Sequence, residues 1–265
     1  MRLTKHHGLG NDFLITFAAI VPADIAELAR RVCNRHRGVG ADGLIVLTPG
    51  DRPGVDAVMT LLNADGSAAE ISGNGLRCVA QAIASARSMD DGALVVATRA
   101  GDRSMTVRRG SVPGEVSVTV DMGVVHEGPL LARDPVAPTV VPLQAATFDI
   151  GNPHLVVLVD DPDAVDVGRA GPFLERDYPG GINVHFVSAA ADNVLELRVW
   201  ERGAGVTEAC GSGAVVAAHA ARQWGIVGDN VRVRMPGGEA LVEIGVRSLL
   251  TGPSVFIATI ELVDA

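Results

Sequence analysis

The stretch "NADGSAAEISGNGLRC", residues 63–78, decides the fold because a second stretch, "ERGAGVTEACGSGA" at 201–214, repeats its layout. In the first, Ser72 precedes Gly-Asn-Gly; in the second, Cys210 precedes Gly-Ser-Gly. Asn63 lies nine residues before Ser72, as Glu201 lies nine residues before Cys210. The chain therefore contains two copies of one motif, with a hydroxyl in one copy and a thiol in the other.

The repeat extends well beyond the motif. Strand-like "DAVMTLL" (56–62) and "VLELRVW" (194–200) precede the two copies, and Ala-rich helical patterns, "LRCVAQAIASAR" (76–87) and "AVVAAHAARQW" (214–224), follow them. Upstream, "GNDFLI" begins at Gly10 and "GNPHLVV" at Gly151. A Gly turn follows Ser72 by 29 residues (Gly101) and Cys210 by 28 residues (Gly238), which favours duplicated domains over chance Gly-rich loops.

These patterns predict an α+β chain of two pseudo-symmetric lobes that meet at a cleft. The N-terminal lobe, carrying Ser72, is predicted over 1–116 and 253–265, and the C-terminal lobe, carrying Cys210, over 117–252. The Pro-rich segment 127–144 is a candidate linker or irregular edge, and "PSVFIATIELV" (253–263) is expected to pair back onto the first lobe. Small-ligand sites concentrate at domain interfaces, so the two motifs are expected to face the cleft.

Composition excludes several classes of function. The 22 basic residues are scattered among 31 acidic ones, which argues against a nucleic-acid partner. No membrane-spanning run and no apolar signal core occur, so we expect a cytoplasmic protein that acts on a small molecule. The single lysine, Lys5, lies in a segment without a phosphate cradle, which excludes pyridoxal phosphate; no cofactor is expected.

A thiol or hydroxyl before Gly-x-Gly at a helix start suits proton transfer. The helix N-terminus is expected to lower the pKa of the Cys210 thiol, and the glycines let backbone N–H groups approach a carboxylate. With Ser72 and Cys210 on opposite sides of a carbon next to that carboxylate, one group removes the proton and the other supplies it. Alone, "CGSG" is typical of a structural helix start; the duplication favours the catalytic interpretation.

The remaining cysteines and the histidines are less informative. Cys33 and Cys78 are expected to be core residues, and no histidine pair has metal-ligand spacing, so no metal is predicted. His154 stands out because "GNPH" recurs at an equivalent place in the repeat.

The motifs resemble the diaminopimelate epimerase family. The matching pieces run in the family's order over nearly the whole chain: "HGLGNDF" (7–13), "GVGADGLIV" (38–46), residues 63–78, "GNPH" (151–154), "IN" (182–183), "ERGAG" (201–205), "ACGSGA" (209–214) and "PGG" (236–238). The resemblance implies two lobes that each wrap a mixed β-sheet around a central helix. It also implies interconversion of LL- and meso-diaminopimelate by two bases without pyridoxal phosphate, in lysine and peptidoglycan synthesis, and a homodimer.

The resemblance also implies roles for individual residues. Cys210 is one base, Ser72 occupies the place of the other, and His154 and Glu201 tune the thiol pKa values. The residues implied in substrate binding are Asn11, Gly43, Asn63, Gly73, Asn74, Asn152, Asn183, Glu201, Arg202, Gly211 and Ser212. Of these, Gly73, Asn74, Gly211 and Ser212 are implied to hold the α-carboxylate, and Arg202 can grip the distal carboxylate bidentately.

Two positions depart from the family pattern, which usually has cysteine at Ser72 and glutamate at Val206. A serine hydroxyl is much harder to ionise than a thiol. Three interpretations are open: an engineered serine, a natural subgroup that tolerates serine, or a related enzyme. The related enzymes considered are a racemase for another amino acid and a dehydratase for a hydroxy-amino acid that uses Cys210 as its main base. A ligand-binding homologue without activity is a further alternative.

Overall fold

The computed structural model describes residues 1–69 and 71–263, so the last two residues of the predicted N-terminal lobe lie outside the described part. The chain divides into two compact units, residues 1–121 with 252–265, and residues 122–251. Within the described residues, no helix is long and apolar enough to span a membrane.

The first unit contains a closed ring of strands. Its elements are β1 (Arg2–Gly8), β2 (Asn11–Phe17), α1 (Ile25–Cys33), β3 (Gly43–Pro49), β4 (Ala57–Asn63), α2 (Gly73–Ala86), β5 (Gly92–Thr98), β6 (Gly101–Arg109), β7 (Glu115–Gly123) and the later part of a strand that we number β16 (Ser248–Glu261). The strands follow the order β1 to β7 and then β16, which pairs with β1 and closes the ring. The expectation that the C-terminal strand pairs back onto the first lobe is confirmed.

The second unit repeats this order of elements. It contains β8 (His126–Glu127), β9 (Gln144–Asp149), β10 (Pro153–Leu158), a 3₁₀ turn (Pro162–Ala164), α3 (Val167–Glu175), β11 (Asn183–Ala191), β12 (Val194–Glu201), β13 (Gly205–Thr207), α4 (Gly211–Gln223), β14 (Asn230–Met235), β15 (Gly238–Glu243) and the first residues of β16. The Pro-rich segment 127–144 lies between β8 and β9 and is mostly irregular.

The strand pairings show that the duplication is structural. In the first unit β2 pairs in parallel with β3 across α1, and β4 in parallel with β5 across α2. In the second unit β10 pairs in parallel with β11 across α3, and β12 in parallel with β14 across α4. The pairs β1–β2, β3–β4 and β5–β6 in the first unit, and β9–β10, β11–β12 and β14–β15 in the second, are antiparallel. Each unit is therefore a mixed sheet, and the predicted α+β fold is confirmed.

Each sheet packs around one central helix. Residues 73–84 of α2 and 211–218 of α4 are all buried, and small residues predominate in both segments. Alanine and glycine let the strands approach helices that are buried on every side, although α2 also buries the polar side chains of Asn74, Arg77 and Gln81. The shorter helices α1 and α3 pack against a second set of buried aliphatic side chains in each unit.

Burial of two core cysteines makes the fold sensitive to alkaline pH. Cys33 and Cys78 are buried, as the sequence predicts, and burial raises the pKa of each thiol to about 12. Between about pH 9 and 12 the unfolded chain has lost protons that the folded chain keeps. The free energy of unfolding is therefore expected to fall as pH rises, by about 1.4 kcal/mol per pH unit for each thiol.

Urea denaturation under reducing conditions measures this slope. The measurements are made at about pH 8, 9, 10 and 11, a range that begins below the ordinary thiol pKa of ~8.5 and extends above it. The double variant Cys33→Ala, Cys78→Ala is expected to be less stable at pH 8, because it leaves two cavities, and to have a shallower slope above pH 9. An unchanged slope in that variant would contradict the assignment to these thiols.

Candidate functional site

Ser72 and Cys210 occupy equivalent positions, each capping the N-terminus of a central helix. Both have extended backbone, with φ −140° and ψ 117° at Ser72 and φ −129° and ψ 115° at Cys210. Gly75 donates its backbone N–H to Ser72 Oγ at 3.0 Å, and Gly213 donates its backbone N–H to Cys210 Sγ at 3.3 Å. The hydroxyl and the thiol therefore sit in the same local geometry, each at the positive end of a helix.

Burial dominates the electrostatics of Cys210. The thiol is 4% exposed, and burial raises its pKa well above the ordinary range; the charge of Glu201 and a hydrogen bond to its carboxylate raise it further. Hydrogen bonds from Ser212 and Gly213 act in the opposite direction but are smaller in effect. The Gly213 N–H at the helix N-terminus lowers the pKa of this thiol, as expected, but desolvation of the thiolate outweighs it, so the pKa is raised overall.

In the first unit, a directional chain of hydrogen bonds orients two of the predicted substrate ligands. Asn74, in the first turn of α2, donates its side-chain amide to Asn11 Oδ1 at 3.1 Å, and Asn11 Nδ2 donates to Asp42 Oδ2 at 2.7 Å. At the other end, Arg77 Nη2 donates to Asn74 Oδ1 at 2.8 Å. The chain runs from a cation to an anion, so both amides are held in one orientation.

Arg77, which sequence reasoning missed although it lies in the quoted "GNGLRC", holds the side chain of Asn74 in place. It is 0% exposed, its Nε donates to the Pro253 carbonyl at 3.1 Å, and burial lowers its pKa to about 10. Glycines make room for it, because a Cβ on Gly252 would lie 3.2 Å from the Arg77 guanidinium carbon. Nothing in one sequence distinguishes a buried arginine from a solvated one.

Sequence reasoning also missed Asp42, which is the last acceptor in this series of hydrogen bonds and belongs to a cluster of charged side chains. Arg35 Nη2 contacts Asp42 Oδ1 at 2.7 Å and Asp12 Oδ1 at 2.8 Å, and Lys5 Nζ contacts Asp12 Oδ2 at 2.9 Å. Burial on its own would raise the pKa of Asp12, but hydrogen bonds from Arg35 and Lys5 lower it below its usual value. Asp12 and Asp42 thus anchor the start of β2 and the residue before β3, next to Asn11.

Asn63 and Gly43 lie on neighbouring strands and have structural roles that the sequence did not predict. Asn63 Nδ2 donates to Ser67 Oγ at 3.0 Å, within the tight turn that follows β4. Gly43 opposes Asn63 in the β3–β4 register, and a Cβ there would lie 2.7 Å from the Leu62 carbonyl. Close packing of the two strands therefore requires glycine at 43.

In the second unit, Asn183 connects three strands near the predicted ligands. Its Nδ2 donates to the Pro153 carbonyl at 3.0 Å, and its Oδ1 accepts the backbone N–H of Arg202 at 3.0 Å. The Arg202 guanidinium donates to the Gly180 carbonyl at 3.0 Å. Asn183 therefore holds the start of β10, the start of β11 and the residue after β12 together.

Glu201 and His154 are both close to other predicted residues. Glu201 accepts a hydrogen bond from Thr207 Oγ1 at 2.5 Å, and its charge raises the pKa of the Cys210 thiol. His154 is completely buried, and its Nε2 lies 2.9 Å from Asn152 Oδ1. In the second unit, Glu201 and Thr207 are thus associated with Cys210, and Asn152 is associated with His154.

The remaining predicted residues belong to the two helix starts. Gly73 and Gly211 are the first residues of α2 and α4, and Ser212 Oγ lies 3.5 Å from Cys210 Sγ. The first turn of a helix contains backbone N–H groups without an intrahelical partner, which is the chemistry expected for binding a carboxylate. Val206, the second departure from the family pattern, lies in β13 and is 60% exposed.

Comparison with known proteins agrees with this arrangement. The family model described as diaminopimelate epimerase matches residues 3–127 and 146–257. The chain is 39% identical to the diaminopimelate epimerase of Desulfitobacterium hafniense, over 97% of this chain and 96% of that protein. It is 37% identical to the diaminopimelate epimerase of Pelotomaculum thermopropionicum, over 96% of each.

Solved structures with lower identity share the fold. A hydroxyproline epimerase from Agrobacterium vitis, crystallised with trans-4-hydroxy-L-proline, superposes with a TM-score of 0.75 at 18% identity, covering 98% of this chain and 91% of that one. The matched caps on the two central helices, the family model that spans most of the chain and the full-length relatives lead to one conclusion: the chain belongs to the diaminopimelate epimerase family of isomerases.

Proposed function

We propose that this protein interconverts LL- and meso-diaminopimelate by moving one α-proton between Cys210 and the Ser72 side, without a cofactor. The observation that carries the proposal is the matched pair of helix caps, which places a thiol and a hydroxyl in the same local geometry on two equivalent helices. Inversion needs an acid and a base on opposite faces of one carbon, and the two helix caps would supply one group for each face.

The first turns of α2 and α4 would bind the α-carboxylate. Glycines and small side chains at 73–75 and 211–213 would let a carboxylate approach the backbone of each first turn, in which the Gly75 and Gly213 N–H groups already bind the cap side chains. As the α-carbon loses its proton, negative charge develops on this carboxylate, and the N–H groups and helix dipoles stabilise that charge. The remote half of the substrate would bind to Arg202 and the asparagine side chains, with the guanidinium paired to the distal carboxylate.

Glu201 would set the protonation state of Cys210. Burial favours the protonated thiol, so Cys210 needs a neighbouring base before it can remove the α-proton. Glu201, whose carboxylate accepts a hydrogen bond from the thiol, is the group that can take that proton, and the Ser72 hydroxyl would then donate or relay a proton to the opposite face of the α-carbon. We assign the same biological place as the family, lysine and peptidoglycan synthesis; the homodimer and cytoplasmic location remain predictions.

The proposal is tested by following proton exchange in D2O. Purified protein is incubated with LL- or meso-diaminopimelate, and NMR records loss of the α-proton signal and the ratio of the isomers. We expect exchange and inversion without added cofactor. L-lysine, which lacks the distal carboxylate, is expected to exchange at least about 10-fold more slowly, because hydrogen bonds to charged groups contribute about 1.5–3 kcal/mol.

Other outcomes would contradict the proposal in distinct ways. Equal rates for lysine and diaminopimelate would indicate a racemase of broader specificity. A keto-acid product from a hydroxy-amino acid would indicate a dehydratase. Binding of both isomers without exchange would indicate a ligand-binding homologue.

A further inference from the structure

The second unit contains a buried pair of histidines of which only one belongs to the predicted site. His154 Nδ1 lies 2.8 Å from His185 Nε2, and the ring centroids are 5.0 Å apart with the ring planes 27° from parallel. Both side chains are 0% exposed. The pair forms because β10 and β11 run in parallel, with His154 opposite Asn183 and His185 two residues further along β11.

The hydrogen bonds of this pair assign a proton to each ring. In the described part of the chain His185 Nδ1 has no hydrogen-bond partner, and a buried N–H without a partner is unfavourable, so the proton of this ring belongs on Nε2, which donates to His154 Nδ1. His154 then carries its own proton on Nε2 and donates it to Asn152 Oδ1 at 2.9 Å. Burial lowers the pKa of His185 to about 3 and that of His154 well below its usual value, so both rings are neutral at physiological pH.

The duplication shows that the fold itself does not need this pair. In the first unit, Phe13 lies opposite Gly43, and Ile45 is two residues further along β3. A Cβ on Gly75 would lie 3.4 Å from Ile45 Cδ1, and a Cβ on Gly213 would lie 2.4 Å from His185 Cε1. Ile45 and His185 thus pack against the same glycine of their respective helices. An apolar side chain fills this place in one unit, so packing alone does not explain a histidine in the other.

The histidine also has an energetic disadvantage that an aliphatic residue would avoid. Among the described residues, His185 Nδ1 is buried without a hydrogen-bond partner. An unpartnered buried polar atom is unfavourable, and an aliphatic side chain at 185 would remove it. What the histidine contributes in return is the donor to His154.

We propose that His185 is a positioning residue that fixes the tautomer of His154 and, through it, the amide orientation of Asn152. With Nε2–H of His154 directed at Asn152 Oδ1, the Asn152 amide nitrogen is the atom left to face a ligand. Asn152 then offers only donors, which suits a carboxylate of the substrate and opposes an ammonium group. This inference rests on the proposed function for its substrate, but not for its hydrogen bonds.

The test compares His185→Ile with His185→Gln. Isoleucine reproduces the side chain of the first unit and removes the donor, whereas the glutamine amide can replace Nε2–H. In protein labelled with 15N-histidine, long-range NMR correlations report the tautomer of His154, whose signals are identified by their loss in His154→Asn. We expect the wild-type tautomer in His185→Gln and its loss in His185→Ile. KM for diaminopimelate is expected to rise about 2- to 10-fold in His185→Ile and to stay near wild type in His185→Gln.

The control is His219→Gln, at a histidine on α4 whose Nε2 pairs with Ser248 Oγ at 2.8 Å, outside this network. It is expected to leave both the His154 signals and KM unchanged. An unchanged His154 tautomer in His185→Ile would overturn the inference, as would an equal rise of KM in the isoleucine and glutamine variants. The NMR signals do not depend on catalytic turnover. A protein without activity would contradict the proposed function, but the His154 tautomer in the His185 variants would still test the role of His185.

Discussion

Replacing Cys210 by alanine is expected to slow exchange of the substrate α-proton by about 100- to 10,000-fold, the usual contribution of a positioned acid or base. Cys210 caps α4, receives the Gly213 N–H and contacts Ser212, so no other described thiol shares its place. The effect should appear in kcat, because alanine leaves the backbone N–H groups at the helix start available for the carboxylate. The measurement starts from one pure isomer in D2O and follows the loss of its α-proton signal by NMR.

A matched variant separates loss of chemistry from loss of a buried thiol. Cys33→Ala removes a thiol that is 2% exposed and lies at the end of α1, in a cluster of buried aliphatic side chains. It is expected to lower the melting temperature, because it leaves a cavity, and to keep the wild-type exchange rate. If Cys210→Ala retained more than about a tenth of the wild-type rate, Cys210 would not be the acid or base, given the range expected for such groups.

Replacing Ser72 by cysteine is expected to accelerate inversion by about 100- to 10,000-fold. Ser72 Oγ already has the position that Cys210 Sγ has in the other unit, so a thiol there needs no change in backbone. A thiol has a reference pKa of ~8.5, whereas a hydroxyl is a weak base and nucleophile until a neighbour activates it. The proton on the Ser72 face is therefore expected to limit the wild-type rate.

Two measurements distinguish this explanation from a general increase in activity. In Ser72→Cys, the rate at which deuterium replaces the α-proton of the isomer whose α-proton faces Cys210 is expected to change little from wild type. Conversion between the two isomers is expected to accelerate in both directions. Ser85→Cys, at an exposed position in the last turn of α2, adds a thiol elsewhere on the same helix and is expected to have no effect. A Ser72→Cys variant that inverts no faster than wild type would show that serine is the residue suited to this enzyme's reaction.

The first unit shows how far local sequence predicts the site. The resemblance implies Asn11, Asn63 and Asn74 as substrate ligands because of the motifs in which they lie. Their hydrogen bonds to Asp42, Ser67 and Arg77 could not be recognised in the same way. Asn11 and Asp42 are 31 residues apart and meet through the parallel pairing of β2 and β3, for which the sequence contains no local signal.

Gly43 is a position at which the motif suggests a functional role and the structure provides a packing reason for the same residue. Its place in "GVGADGLIV" suggested a substrate ligand, because the resemblance attaches that role to the motif. In the structure a Cβ at this position would lie 2.7 Å from the Leu62 carbonyl, so packing between β3 and β4 is enough to require glycine. A role in binding substrate remains a prediction for this residue.

By itself, the sequence determined the duplication, the strands and central helices of each unit, and the presence of Ser72 and Cys210 at equivalent helix starts. These features depend on residues close together in the chain, whose spacing and hydrophobic pattern are visible without a structure. Only the tertiary structure decided the protonation of Cys210 and the pairing of His154 with His185. Both depend on burial and on strand register, which bring together groups that are distant in sequence and remove them from water.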